Sequence, residues 1–305
     1  MMKRTIFMVS LLLLLVPFAF AANHNQTTGR ENMTVSINAP PSFVTGPTLE
    51  DSDIAVANQL DPVPGTTFKV WCNGTANDSN GYADLASASG VIYGPGSSAG
   101  AADDPTNHYS AADCNLSLNT DGKFSCAFDV QFYALNGTWT CDVNVTDSVG
   151  QSTLANDTSD MTQLLAINVP SATMDFGTML VGTDTGATDK KVNVTNNGNV
   201  RVDLQLDAYK NWAAPDNNDV DAMGCSILGS IPIANVRYSL TPATNYAAKT
   251  SFQGAGVLTE NTFKLAPQTS GVAGTTKPVY FGLGIPAAGV AGTCNGVLEF
   301  TGIQG

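Results

Sequence analysis

Two short loops hold the residues whose types and spacing could do chemistry. Gly96-Ser97-Ser98-Ala99-Gly100 fits the G-x-S-x-G pattern of hydrolase nucleophiles, and His108 would be its base. Such a nucleophile turn needs a strand before it and a helix after it. Gly94-Pro95 interrupts the preceding strand, and Asp104-Pro105 prevents a long helix. We therefore expect a loop here, and we predict that the chain is not an enzyme.

The second loop could bind a hard cation. Asp216, Asn218, Asp219 and Asp221 offer oxygen ligands of the kind that calcium prefers. Their spacing departs from the EF-hand pattern, because Val220 stands at a ligand position and no glutamate follows at the right distance. With two histidines and no C-x-x-C pair, a structural zinc site is not expected. We predict no cofactor and keep these four residues as weak calcium candidates.

Aromatic side chains could instead form a sugar-binding platform. The candidates are Trp71, Tyr82, Tyr93, Tyr109, Trp212 and Tyr246. They do not cluster at strand spacing, and aromatic residues in β-sandwiches more often belong to the core. A carbohydrate-binding module of a secreted system is therefore the alternative function.

The N-terminus has the three parts of an export signal. Lys3 and Arg4 precede an apolar run at residues 5–18, which ends in Ala19-Phe20-Ala21. The run is shorter than the roughly 20 residues that span a bilayer. We predict a signal peptide at 1–21, a flexible leader at 22–31, and a mature chain without a membrane insertion. The expected location is the extracellular cell surface.

Charge excludes one class of partner. Loss of the signal removes two of the 13 basic residues, which leaves 11 against 26 acidic residues and a net charge of −15. Nucleic acid binding needs basic side chains that neutralise phosphates, so no nucleic acid partner is expected. The apolar content of 43% is ample for folded cores.

Short alternating segments between turn residues predict an all-β fold. In residues 67–72, 124–130 and 139–145 one face is apolar and the other polar, as the sheets of a sandwich require. The same alternation continues in the second half. We predict one β-sandwich at 32–168 and a second at 169–305.

The cysteines of the first half lie in a recognisable pattern. Trp71-Cys72 ends one strand, Trp139-Thr140-Cys141 lies in another, and Asp147-Ser148-Val149-Gly150 follows. This pattern resembles the cysteine-stapled immunoglobulin-like domains of archaeal surface proteins. The resemblance implies a disulfide between Cys72 and Cys141 that joins two sheets, with Trp139 where a tyrosine corner usually lies.

Six cysteines allow 15 pairings. With the implied pair assumed, Cys114 and Cys126 remain on either side of an Asp121-Gly122 hairpin turn. Cys225 and Cys294 are then left to each other.

The second half resembles the immunoglobulin-like accessory domains of surface proteins. The resemblance rests on Phe176-Gly177, Val181-Gly182 and the run from Val192 to Val200. Asn197-Gly198 predicts a tight hairpin between two valine-rich strands. Residues 280–286 and 296–300 predict a closing hairpin.

These patterns predict a non-enzymatic structural or adhesive surface protein whose sandwiches act as spacers and contact modules. The expected partners are other cell-surface proteins or surface glycans, with self-association through the edge strand at 294–301 as a further possibility. Nine N-x-S/T sequons predict N-glycosylation. They are Asn25, Asn32, Asn73, Asn77, Asn115, Asn136, Asn144, Asn156 and Asn193.

Overall fold

The computed structural model describes residues 37–305 except 53–55, 57, 112, 118–119, 171–172, 211–219, 254–256, 259–261 and 271–274. The described residues form β-strands and three one-turn 3-10 helices, and none of them lies in an α-helix. This confirms the all-β prediction. The 3-10 helices are Tyr82–Asp84, Ile233–Asn235 and Tyr246–Ala248.

The strands follow in chain order. They are β1 (Ser42–Asp51), β2 (Gln59–Leu60), β3 (Thr67–Asn77), β4 (Leu85–Tyr93), β5 (His108–Ala111), β6 (Asn115–Leu116), β7 (Lys123–Gln131), β8 (Gly137–Asp147), β9 (Ser152–Met161), β10 (Ile167–Asn168), β11 (Lys190–Asn196), β12 (Val202–Tyr209), β13 (Asp221–Cys225), β14 (Ser230–Pro232), β15 (Val236–Ser239), β16 (Thr250–Ser251), β17 (Val257–Leu258), β18 (Thr276–Leu283), β19 (Cys294–Asn295) and β20 (Val297–Gln304).

Strands β1 to β9 form two sheets with the strand order of an immunoglobulin fold. One sheet has the order β1-β3-β7-β6 and the other β2-β9-β8-β4-β5. The first matches strands A, B, E and D of that fold, and β4, β8 and β9 match strands C, F and G. The disulfide between Cys72 of β3 and Cys141 of β8 joins the two sheets, at the place where the B–F bridge lies.

Alternation along these strands produces the first hydrophobic core. Phe68, Val70 and Cys72 point inward from β3, while Lys69 between them is exposed. Trp139 is fully buried in this core, and its Nε1–H donates to the Leu135 carbonyl at 2.8 Å. The indole thus makes a backbone hydrogen bond of the kind that a tyrosine corner makes.

Strands β10 to β20 form the second set of sheets. Their orders are β10-β11-β18-β15-β16, β17-β12-β20 and β14-β13-β19. In the same notation, β10, β11, β18 and β15 match strands A, B, E and D, and β12 and β20 match C and F. The core between them contains Val194, Leu204, Val279 and Phe281.

Two predicted hairpins are wrong. Strands β11 and β12, on either side of Asn197-Gly198, pair in different sheets, and so do β18 and β20. Alternation shows that a segment is a strand but not which sheet it joins. Glycine is needed at 198 for another reason, because a Cβ there would lie 2.0 Å from the Leu164 carbonyl oxygen.

Asn199 connects the two sets of sheets. Its Oδ1 accepts from the backbone N–H of Leu164 at 2.7 Å, and its Nδ2 donates to the carbonyls of Thr162 at 2.9 Å and Ala134 at 3.1 Å. Only 2% of Asn199 is exposed. Residues Asn38–Gly305 form one compact unit with two hydrophobic clusters. The boundary predicted at 168/169 stays a prediction.

Candidate functional site

Three aspartates meet at one end of the first pair of sheets. Asp78 directly follows β3, Asp84 ends the 3-10 helix before β4, and Asp147 is the last residue of β8. The antiparallel register places Leu85 of β4 opposite Asp147, which brings the two loops together. One carboxylate oxygen from each aspartate lies within 4.8 Å of the other two. We call this group the aspartate cluster.

Two carboxylate oxygens of the cluster accept no hydrogen bond from the described part of the chain. Oδ1 of Asp78 accepts from the backbone N–H of Asn80 at 2.7 Å, and Oδ1 of Asp84 accepts from the Ser148 hydroxyl. Oδ2 of each residue is buried and accepts no hydrogen bond from any described group. The side chain of Asp78 is also deeply buried, with 2% of the residue exposed.

Asp147 is held as a carboxylate by hydrogen bonds. Burial acts to raise its pKa, but bonds from the Asn38 amide and from the backbone N–H groups of Gln151 and Val149 lower the pKa below its usual value. The Asn38 bond is 2.7 Å long and the Gln151 bond 2.8 Å. This carboxyl is therefore ionised at neutral pH.

No cationic side chain balances the cluster among the described residues. Ion pairs among the described residues include Lys69–Asp129, Lys123–Asp121, Lys210–Asp221 and Lys249–Asp189, and none of these involves the cluster. Buried carboxylates close to one another disfavour ionisation unless a cation is shared. Clustered carboxylate oxygens are the ligands of hard divalent cations.

The aspartate cluster was missed by the sequence analysis. The sequence contains a local indication of part of this site. Asp78, Asn80 and Asp84 place oxygen-bearing side chains in one short loop, with Gly81 at its turn. The third member, Asp147, is 63 residues beyond Asp84 and is brought to it only by the pairing of β4 with β8.

The calcium candidates of the sequence fall mostly outside the described residues. Asp216, Asn218 and Asp219 lie in the segment 211–219. Asp221 is described, and its Oδ2 accepts from Lys210 at 2.7 Å. That hydrogen bond is also the main cause that lowers the pKa of Asp221.

The G-x-S-x-G segment lies in a loop between β4 and β5, as expected. His108 is buried, with its Nδ1 at 3.0 Å from Asp103. Its Nε2 is buried and has no hydrogen-bond partner among the described groups. A serine nucleophile would have to contact that atom, so these residues do not form a catalytic triad.

The aromatic candidates are spread over the molecule. Tyr82 and Tyr109 pack against the first core. Tyr246 lies 4.6 Å beneath the Arg237 guanidinium, and Tyr93 donates to Asp142 at 3.4 Å. Trp71 is half-buried on β3. Trp212 lies outside the described residues, and the other five do not form an exposed platform.

Seven of the nine predicted glycosylation sites are described. Asn115, Asn156 and Asn193 are exposed, whereas Asn73, Asn77, Asn136 and Asn144 are half-buried. The amide of Asn73 donates to Glu50 at 2.7 Å. Asn25 and Asn32 lie outside the described residues, and glycosylation stays a prediction.

All six cysteines are in disulfides. The pairs are Cys72–Cys141, Cys114–Cys126 and Cys225–Cys294, the same three that the sequence analysis expected. Three disulfides fit an oxidising, extracellular compartment. Within the described residues, no helix is long and apolar enough to cross a membrane.

An apolar cleft of about 970 Å³ opens in the second set of sheets. Ile167 and Val169 line it from one sheet, and Leu298 and Phe300 of β20 line it from the other. In the described part of the chain, β20 pairs with β12 on one side and with no strand on the other. We call this feature the edge cleft.

Comparison with known proteins does not assign a family. No family model and no curated protein matches the chain. Similar solved structures include a carbohydrate-binding module of the β-sandwich superfamily, with 14% identity, 88% of this chain and 100% of the other covered, and a TM-score of 0.24. The CupB6 tip adhesin of Pseudomonas aeruginosa has 10% identity, coverages of 87% and 93%, and a TM-score of 0.28. The C-terminal domain of the AgI/II polypeptide BspA of Streptococcus agalactiae has 10% identity, coverages of 87% and 96%, and a TM-score of 0.25.

At these identities and TM-scores the neighbours carry no argument about function. The strand orders and disulfides themselves define the class: a disulfide-bonded protein of the β-sandwich type.

Proposed function

We propose that the chain is a non-enzymatic structural protein of the extracellular cell surface, and that copies of it join end to end. The first set of sheets serves as a spacer, and the second serves as the contact module. The observation that carries this proposal is the open outer edge of β20 beside the edge cleft.

The first set of sheets provides a comparison for the open edge of β20 in the described part of the chain. There, strand F (β8) pairs with strand C (β4) on one side and with strand G (β9) on the other. In the second set, β20 stands at the position of strand F, and no described strand takes the position of strand G. An apolar cleft next to an open strand edge fits an extended segment that adds one strand.

The occupant we propose is the N-terminal segment of a second copy. Residues 33–37 read Met-Thr-Val-Ser-Ile, so three apolar side chains alternate with two hydroxyl side chains. This is the pattern of a strand with one face on a core. Ile37, the described end of the segment, is 88% exposed.

Distance favours a second copy over the chain's own segment. Asn38 is bound to Asp147, at the end of the first sheets where β3 finishes. Asn199 and Gln304 lie beyond the opposite end of β3, since Asn199 contacts Ala134 and Gln304 pairs with Val202. Eleven residues of β3 span about 35 Å, whereas residues 33–37 reach less than about 20 Å from Asn38.

Such a contact is heterologous, because it joins the N-terminal end of one copy to the cleft of the next. Heterologous contacts that do not close into a ring produce open chains. The Asn199 hydrogen bonds would keep the spacer and the contact module in a fixed arrangement. The three disulfides and the negative net charge suit an extracellular subunit.

Two matched variants of the chain 22–305 test this assembly. Val35→Asp puts a charge on the apolar face of the segment, whereas Ser36→Asp puts the same charge on its polar face. Burying an aspartate in place of valine in an apolar cleft weakens association by at least about 100-fold. The two variants carry the same added charge, so a difference between them reports which face of the segment is used. Light scattering after size-exclusion chromatography measures the assembly state over a dilution series.

The proposal predicts concentration-dependent oligomers for the parent chain and for Ser36→Asp, and monomers for Val35→Asp. A parent chain that stays monomeric at every concentration contradicts it. Oligomers that Val35→Asp leaves intact contradict the assignment of the segment.

A further inference from the structure

We propose that the aspartate cluster of Asp78, Asp84 and Asp147 is a calcium-binding site. Nothing in the end-to-end assembly depends on it. The inference rests on the convergence of three carboxylates within 4.8 Å and on the two buried Oδ2 atoms that accept no hydrogen bond from a described group.

A purely structural role does not account for these orphaned oxygens. Asp78 shapes its turn through Oδ1, and Asp84 binds Ser148 through Oδ1. Each could do so equally well as asparagine. The second oxygen of each side chain is buried without a hydrogen bond from a described group, in a cluster of three carboxylates. Such burial costs free energy unless a cation is shared.

The ligand chemistry selects calcium. The cluster offers carboxylate oxygens, with the Ser148 hydroxyl and the Asn38 side-chain amide next to it. It contains no imidazole and no thiolate, which zinc would prefer. Calcium takes six to eight oxygens in flexible geometry, so backbone carbonyls and water complete the shell in loops of this kind. Magnesium instead requires near-octahedral geometry and gives up its water reluctantly.

Calcium at this position would join three separate segments. These are the segment before β1 through Asn38, the loop between β3 and β4, and the turn after β8. Extracellular calcium sites commonly bind with Kd values of about 10⁻⁴ to 10⁻³ M. At a calcium concentration about 100 times Kd, we expect the melting temperature to rise by roughly 5 to 10 °C.

The test uses asparagine substitutions that change only the orphaned oxygens. In Asp78→Asn and Asp84→Asn, Oδ1 can keep its hydrogen bond while an amide nitrogen replaces Oδ2. Isothermal titration calorimetry measures calcium affinity, and scanning calorimetry measures the melting temperature in EGTA and in calcium. We expect each variant to weaken calcium binding at least about 10-fold. In EGTA each variant should melt close to the temperature of the parent chain, because Oδ1 keeps its hydrogen bond.

The double variant Asp216→Asn with Asp219→Asn is the matched control, because it removes two charges from the other calcium candidate. It should retain both the affinity and the melting shift. Failure of the parent chain to bind calcium overturns the proposal. So does binding that Asp84→Asn leaves unchanged, or binding that the control variant abolishes. If the cluster is only structural, Asp84→Asn lowers the melting temperature equally in EGTA and in calcium.

Discussion

Removal of the Asn199 side chain should loosen the connection between the two sets of sheets. Asn199→Ala deletes three hydrogen bonds of 2.7 to 3.1 Å and leaves the Leu164 N–H and the carbonyls of Ala134 and Thr162 without their partner. Each such loss at a buried position costs about 1 kcal/mol, and more when water does not enter. The expected total is roughly 3 to 5 kcal/mol. For a chain of this size that corresponds to a fall in melting temperature on the order of 10 °C.

Hydrogen exchange localises the effect. The Leu164 amide donates to Asn199 Oδ1, so its exchange should accelerate in the variant while amides in the centre of β8 stay protected. Asn197→Ala is the matched control. Asn197 is half-buried, and its backbone N–H donates to the Ala166 carbonyl at 3.0 Å, a hydrogen bond that alanine keeps. Its expected cost is below about 0.5 kcal/mol.

The reasoning fails if Asn199→Ala and Asn197→Ala destabilise the chain equally. It also fails if Leu164 exchanges at the parent rate in Asn199→Ala, because the side chain would then not hold this segment.

Two further predictions follow from the packing and the carboxylates. Gly94→Ala would place a Cβ 2.5 Å from the Trp139 ring, so we expect a loss of about 1 to 3 kcal/mol in urea unfolding. An added Cβ at Gly100 has nothing within 4 Å, so Gly100→Ala should change stability by less than about 0.5 kcal/mol. Equal destabilisation by the two variants would contradict the predicted clash with Trp139. Hydrogen bonds lower the pKa of several aspartates, so the stability they provide is present above pH 4 and is lost as the pH falls through their folded pKa values. These residues are Asp103, Asp104, Asp121, Asp147 and Asp221. Thermal melts followed by circular dichroism should show a melting temperature that falls below about pH 4. A melting temperature that rises there would contradict the predicted direction of the pH dependence.

The sequence predicted the strands better than their partners. Alternation in residues 67–72 and 124–130 places the apolar side chains of β3 and β7 correctly, since that pattern depends on local geometry alone. The hairpin predicted at Asn197-Gly198 is wrong because glycine is used both in tight turns and where two backbone segments approach closely. Here Gly198 lies against the carbonyl of Leu164, 34 residues earlier. The sequence around Gly198 gives no indication of this contact.

The candidate sites likewise differ in how far the sequence alone could predict them. The pair Cys72–Cys141 follows from a resemblance that includes long-range pairing, and the other two pairs follow from it by elimination. The aspartate cluster instead depends on a contact between loops that are distant in the chain. The edge cleft was indicated only through the predicted edge strand at 294–301. Residues Cys294–Asn295 pair with β13, and the open edge belongs to β20.

One cross-linking measurement tests the central claim most directly. A photoreactive p-benzoylphenylalanine at position 35 of the chain 22–305 is irradiated, and mass spectrometry maps the products. The account predicts links between different copies, with the attachment points on β20 and on residues 167–170 across the edge cleft. Links confined to one copy, or intermolecular links that avoid the edge cleft, would contradict it.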